Sequence, residues 1–296
     1  MNYFRGQIGY GFKELDEATG GLHQGELAVI ASHPSVGKTS FALNVALHVA
    51  RAGKKVIYFS LQHDKEYLEG CIARQSGIPM HEKEGYTNVR IETENGFSID
   101  GIKEILQSEP HVDLVIIDYL QLLSYKKKNN RTLELAFISV ELKRMAWKLE
   151  IPIICLVQLG VWWKHGEKPR LSDMEPIGAL VQDCDTFLIL QREPNGEKAE
   201  CIIAEALCGQ RNKTIQLKWY PSHLRFLSKE SCLTEDGADF YHDIGKILLS
   251  DNPLDSDLRR ILRVELMEKY NLTEIEAVNL LNGKNISDYL VKYRGE

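Results

Sequence analysis

The run Pro34, Ser35, Val36, Gly37, Lys38, Thr39 carries the residue types that hold a polyphosphate. Glycine lets the main chain approach phosphate oxygens, lysine reaches the outer phosphates, and a threonine hydroxyl is a ligand for Mg²⁺. The run follows GxxxxGK[ST] except at its first position, where Ser32 replaces glycine. Such a loop needs a carboxylate, and Asp118 ends the apolar run 114–118. An acid at the tip of a neighbouring strand is the second metal-side residue of P-loop NTPases. A lone aspartate after an apolar run usually just ends a strand; paired with Lys38 and Thr39 it reads as a metal ligand.

These residues need a scaffold that brings strand tips together. Segments 27–31, 56–60, 114–118, 151–157 and 187–190 are almost wholly apolar, as strands buried on both faces are. Segments 39–51, 65–75, 99–107 and 132–149 have helical spacing between them. The alternation predicts an α/β fold with a mostly parallel, doubly wound sheet. Segments 201–204, 214–219 and 223–227 are shorter and alternate, which predicts an antiparallel extension of that sheet. From residue 229 the chain turns acidic and rich in turn residues. Helical candidates follow at 255–270 and 273–282, the second opening on a capping box from Thr273 to Glu276. The expected division is therefore a P-loop domain at 1–228 and a small α-helical appendage at 229–296.

Charge follows the same boundary. Residues 230–296 hold 14 acidic and 8 basic side chains, whereas the first 229 carry 28 of each. That balance excludes a broadly basic nucleic-acid binder, so any such contact must come from local loops. The longest uncharged apolar stretch, 151–163, is too short to cross a bilayer. With no signal-peptide pattern at Met1, a soluble cytoplasmic protein with no membrane partner is expected. Six scattered cysteines without CxxC spacing read as small buried hydrophobes in a reducing compartment.

Further motifs place the chain beside a known family. Residues 11–22, the phosphate loop, Phe59-Ser60-Leu61 and Asp118-Tyr119-Leu120-Gln121-Leu122 together resemble the C-terminal motor domain of DnaB-type replicative helicases. Gln158-Leu159, Ser172-Asp173, Gln182-Asp183 with Asp185, and Gln210-Arg211-Asn212 continue it in order, so the resemblance covers about residues 10–228. The segment 118–122 separates the chain from RadA-like and KaiC-like proteins, which share the first motif. The resemblance implies a RecA-like fold, a hexameric ring, ATP with Mg²⁺ at subunit interfaces, and translocation on single-stranded DNA in replication. It assigns Ser32, Pro34, Ser35, Val36, Gly37, Lys38 and Thr39 to the phosphates, and Thr39 and Asp118 to Mg²⁺. It makes Gln158 a γ-phosphate sensor and Arg211 an arginine finger reaching the neighbouring subunit's site.

The departures from the family are specific. Gln62 stands where the family has its catalytic glutamate. An amide orients water but cannot take its proton, and loss of a general base costs about 10²–10⁴-fold. The basic residue two before the finger is Gly209, the Asn-Arg after Gln-Leu is Gly160-Val161, and the Arg-Glu-Ser-Gly DNA loop reads Glu175-Pro176-Ile177-Gly178. Two local features offer DNA contacts in their place. One is the basic run Lys126, Lys127, Lys128 to Arg131; the other is Trp162-Trp163-Lys164, a stacking face beside a charge.

Two functions are expected. The first is an ATP-dependent DnaB-type helicase motor, with single-stranded DNA, its own ring and replication proteins as partners. The alternative is a catalytically weakened RecA-fold nucleotide-binding assembly or helicase-loading protein. A RadA-like recombination factor is disfavoured by the motif at 118–122. The acidic appendage is expected to cover the sheet edge or to dock a basic partner.

Overall fold

Along Leu27–Ser32, odd and even residues go to different cores. Ala28 and Ile30 join one apolar cluster, Leu27, Val29 and Ala31 the other. Period-two alternation with both faces apolar is what a central strand between two helix layers requires. In the computed structural model, residues 8–76, 87–93, 97–125, 130–159, 178–193 and 196–228 are described. The chain divides into two units, Met1–Ser231 and Cys232–Glu296. Every described residue lies in the first, so the expected appendage at 229–296 and its helices fall outside the described residues.

The strands are β1 (Leu27–Ser32), β2 (Val56–Ser60), β3 (Val89–Thr93), β4 (Leu114–Asp118), β5 (Ile153–Gln158), β6 (Thr186–Arg192), β7 (Lys198–Glu205), β8 (Lys213–Tyr220) and β9 (Arg225–Ser228). They form one sheet in the order β3-β2-β4-β5-β1-β6-β7-β8-β9. Pairing is parallel from β3 to β6 and antiparallel from β6 to β9. The helices are α1 (Lys13–Thr19), α2 (Lys38–Arg51), α3 (Lys65–Ser76), α4 (Ile99–Ser108), α5 (Arg131–Leu149) and α6 (Gly178–Asp183). Residues of α1, α2 and α3 fill the cluster on one face; α4, α5 and α6 fill the other.

The expected parallel sheet with an antiparallel extension is therefore present. β3, α1 and α6 were not anticipated. β3 buries Val89 and Ile91 but not Arg90, an edge-strand pattern too short to stand out. α1 and α6 are seven and six residues long, below the length at which helical periodicity is legible.

Among the described residues no helix is long and apolar enough to cross a membrane. Cys71, Cys155 and Cys201 are buried and free. Burial pushes the Cys201 thiol up to about 12, so it is inert packing.

The topology matters for the site. β1, β2, β4 and β5 run parallel as neighbours, so their C-terminal ends share one edge. In open α/β sheets that edge is where ligands bind.

Candidate active site

The phosphate loop spans the gap between β1 and α2. Ser35 takes φ 62 and Gly37, the N-cap of α2, takes φ 113. A Cβ on Gly37 would lie 3.0 Å from the Phe226 ring, so glycine is required by backbone and packing together. Ser32 stays inside β1, fully buried, and its Oγ donates to His33 O at 2.8 Å. The expected first glycine is thus replaced by a side chain that folds back on its own strand. Arg192 holds the loop from outside. Its Nε donates to Val36 O at 3.0 Å and an Nη to Ser35 O at 2.8 Å, while its guanidinium lies 5.2 Å from the Trp219 ring centre.

Lys38 and Thr39 open α2. Burial lowers the Lys38 ammonium below its ordinary value, and the charge of Asp118 opposes that shift. Asp118 is 1% exposed. Its Oδ2 accepts from Thr39 Oγ1 at 2.8 Å and from Tyr58 Oη at 2.7 Å. A buried carboxylate satisfied by two hydroxyls beside a lysine is a coherent donor set for a hard divalent cation and the phosphates it accompanies. Burial, then the Asp118 charge, raises the Tyr58 hydroxyl above its ordinary range, so it remains a donor.

Gln62 follows β2 and is exposed. The turn carrying it is closed by Ser60 Oγ donating to His63 O at 2.7 Å, and Leu61 N donates to Asp118 O at 2.8 Å. Gln158 ends β5 opposite Ser32 on β1. Its main chain is matched on both sides by one side chain: Gln121 Nε2 donates to Gln158 O at 2.7 Å, and Gln158 N donates to Gln121 Oε1 at 3.2 Å. The loop, Gln62, Asp118 and Gln158 therefore lie on adjacent strand ends.

Arg211 sits apart, in the β7–β8 connection. It is 63% exposed and pairs with Glu205 at 3.1 Å. That connection is strapped to α1 by Gln210 N donating to Ala18 O at 2.8 Å. Gly209 has φ 135, and a Cβ there would lie 2.1 Å from Ala18 O. The absence of a basic side chain at 209 has a steric cause: no side chain fits.

Of the expected nucleic-acid contacts, Arg131 and Gly178 are described. Arg131 spends its guanidinium on the protein itself: Nη2 donates to Gln121 O and Leu123 O, both at 2.9 Å, and Nη1 pairs with Glu134 at 2.5 Å. Gly178 opens α6, and a Cβ there would meet nothing within 4 Å. Lys126, Lys127, Lys128, Trp162, Trp163 and Lys164 lie outside the described residues, as do Gly160, Val161 and Glu175.

The model of the DnaB-like helicase C terminal domain matches residues 7–95 and 85–228. The chain belongs to this family. It is 33% identical over 262 residues to the replicative DNA helicase DnaC of Bacillus subtilis (strain 168), covering 77% of this chain and 58% of that protein. It is also 33% identical over 254 residues to the replicative DNA helicase DnaB of Geobacillus stearothermophilus, covering 74% and 56%. The DnaB-like chain thus spans a little over half the length of these relatives. A solved DnaB-like replicative helicase, described with its interactions with primase, superposes with a TM-score of 0.67 at 28% identity, over 75% of this chain and 63% of that one. A RadB recombinase, at 20% identity and TM-score 0.57, shares the RecA-like fold alone. A DnaB-like ATPase domain is a nucleotide-binding domain, generally with a divalent metal.

Three features of this DnaB-like site were missed at the sequence level: Tyr58, Gln121, and the Arg192–Trp219 pair. Two left a signal: Gln121 stands in the motif at 118–122, and a tyrosine hydroxyl inside a strand buried on both faces, as at Tyr58, must find a partner.

Proposed function

We propose that this domain is the ATP-driven motor of a replicative DNA helicase. In this reading it acts as a hexameric ring on single-stranded DNA. The observation that carries it is the convergence of Thr39 and Tyr58 on buried Asp118 beside Lys38. Lys38 and the main chain of the phosphate loop bind the β and γ phosphates of ATP. Thr39 and Asp118 would hold Mg²⁺, which would offset the phosphate charge. Gln62 orients the attacking water, as glutamine does in some GTPases. Gln158 senses the γ-phosphate, and Arg211 reaches a neighbour's site after leaving Glu205.

DNA contact falls to Lys126, Lys127 and Lys128, with Trp162, Trp163 and Lys164 as a stacking face and Gly178 at the mouth of α6. Arg131 is itself held by the carbonyls of Gln121 and Leu123 and by Glu134. Other replication proteins complete the set of partners. The helicase names of the relatives favour the motor over a nucleotide-binding assembly protein.

The test is strand separation of a forked duplex with ATP and Mg²⁺. The parent chain should open the fork, and Lys38→Ala should abolish opening. A parent that binds ATP and single-stranded DNA yet never opens the fork contradicts the motor reading.

A further inference from the structure

α5 turns an unusual face to solvent. Leu133, Phe137, Val140 and Trp147 are 54%, 43%, 42% and 73% exposed. At 100° per residue they fall within an arc of about 80°, and the stripe runs about 21 Å along the helix. The opposite face of α5 is an ordinary core surface, with Leu135, Ile138, Leu142, Met145 and Ala146 buried. Amphipathic helices place charged side chains outward; this one places four large apolar groups there. Contiguous exposed apolar surface marks an interaction site.

The charge around the stripe identifies its complement. Arg144 lies within it, 68% exposed, and Lys148 flanks it. Glu141, the acid beside them, is already shared between Lys103 at 2.6 Å and Arg144 at 3.0 Å. A second copy of α5 would bring no fresh carboxylate to Arg144 and Lys148. A helix with leucines on one face and acids along its edges would bring both.

We propose that the outer face of α5 is a docking surface for an acidic amphipathic helix, about four turns long, of a partner protein. Leu133, Phe137, Val140 and Trp147 form the apolar contact, with Arg144 set among them and Lys148 at the edge. Two helices pack by fitting rows of side chains spaced three and four residues apart into each other's grooves, the spacing of Leu133, Phe137 and Val140. The proposal stands whether or not the domain is a motor.

The probe is a labelled four-turn synthetic helix, leucines at its a and d positions and glutamates beside them, titrated with the full chain by fluorescence anisotropy. A matched helix with lysines for glutamates is the control. The acidic helix should bind, lose affinity with salt, and weaken roughly tenfold with Val140→Glu and with Trp147→Ala. Both variants alter exposed side chains, and both should keep the parent's melting temperature. Equal binding of the lysine helix, or undiminished binding by melting-competent Val140→Glu, overturns the proposal. A lower oligomeric state of Val140→Glu by sedimentation also overturns it, because the face would then join copies of this chain.

Discussion

Thr39 and Asp118, 79 residues apart in sequence, meet through a 2.8 Å hydrogen bond from Thr39 Oγ1 to Asp118 Oδ2. The bond joins the first turn of α2 to the tip of β4. It exists because β4 and β1 flank β5 in one parallel sheet, so their carboxyl ends share an edge. Tyr58 adds a second donor to the same oxygen from β2.

Tyr58→Phe should therefore act on metal use. The ring still fills its place in the core, and only the hydroxyl that fixes Asp118 is lost. Groups that orient a metal-site carboxylate are worth about 10–100-fold in metal affinity. The Mg²⁺ concentration for half-maximal ATPase should rise about tenfold, with metal-free nucleotide binding unchanged. A Mg²⁺ titration beside a thermal melt checks this; an unchanged half-saturation would assign Tyr58 to packing alone.

Gln121→Leu should separate positioning from binding. It deletes both hydrogen bonds to the Gln158 main chain and loosens the end of β5. Small misplacements of site groups cost rate more than affinity. Steady-state kinetics should show kcat falling roughly tenfold, with KM for ATP within about twofold of the parent.

Gly209→Ala should destabilise the domain by about 1–3 kcal/mol, the usual cost of forcing a side chain into a disallowed backbone conformation. Its Cβ would also press on Ala18 O, so the strap between α1 and the Arg211 loop must open. Denaturant melts of the variant measure the loss. A stability equal to the parent's would mean that the loop does not rest on α1.

Glu26 supplies a pH test. It is 1% exposed, and burial pushes its carboxyl up to about 7, with Asp185 adding to the rise while Thr186, His23 and Lys143 oppose it. A folded-state acid raised from an ordinary 4.5 holds its proton longer than the unfolded chain does. Its contribution is present at low pH and is lost as pH rises from about 4.5 through about 7. Glu26→Gln should thus gain stability relative to the parent between pH 5 and pH 8, by up to about 3 kcal/mol. Paired melts at the two pH values read the difference. A constant difference would contradict the burial argument.

Much of this was legible because it is local. Apolar runs at 27–31, 56–60 and 114–118 fix strands, and Gly37-Lys38-Thr39 after the first of them fixes a loop at a helix N-terminus. Asp118 was readable as the end of its run. The partners of these groups were not, since pairings such as Tyr58–Asp118 and Arg192–Val36 span 60 and 156 residues. Nothing in a residue's neighbours encodes which strand tip its side chain will meet. Arg131 shows the converse: a basic run suggests phosphate contact, yet its carbonyl and Glu134 partners become visible only once the turn at 120–122 is folded against α5.

As the proposed motor, the site turns over ATP under the control of single-stranded DNA. Steady-state ATPase of the parent chain, with and without single-stranded DNA and beside Gln62→Glu, tests it most directly. The parent should hydrolyse ATP measurably and faster with DNA, and Gln62→Glu should be faster still as a carboxylate replaces the amide as general base. Nucleotide binding with no hydrolysis by either protein, with or without DNA, would contradict it.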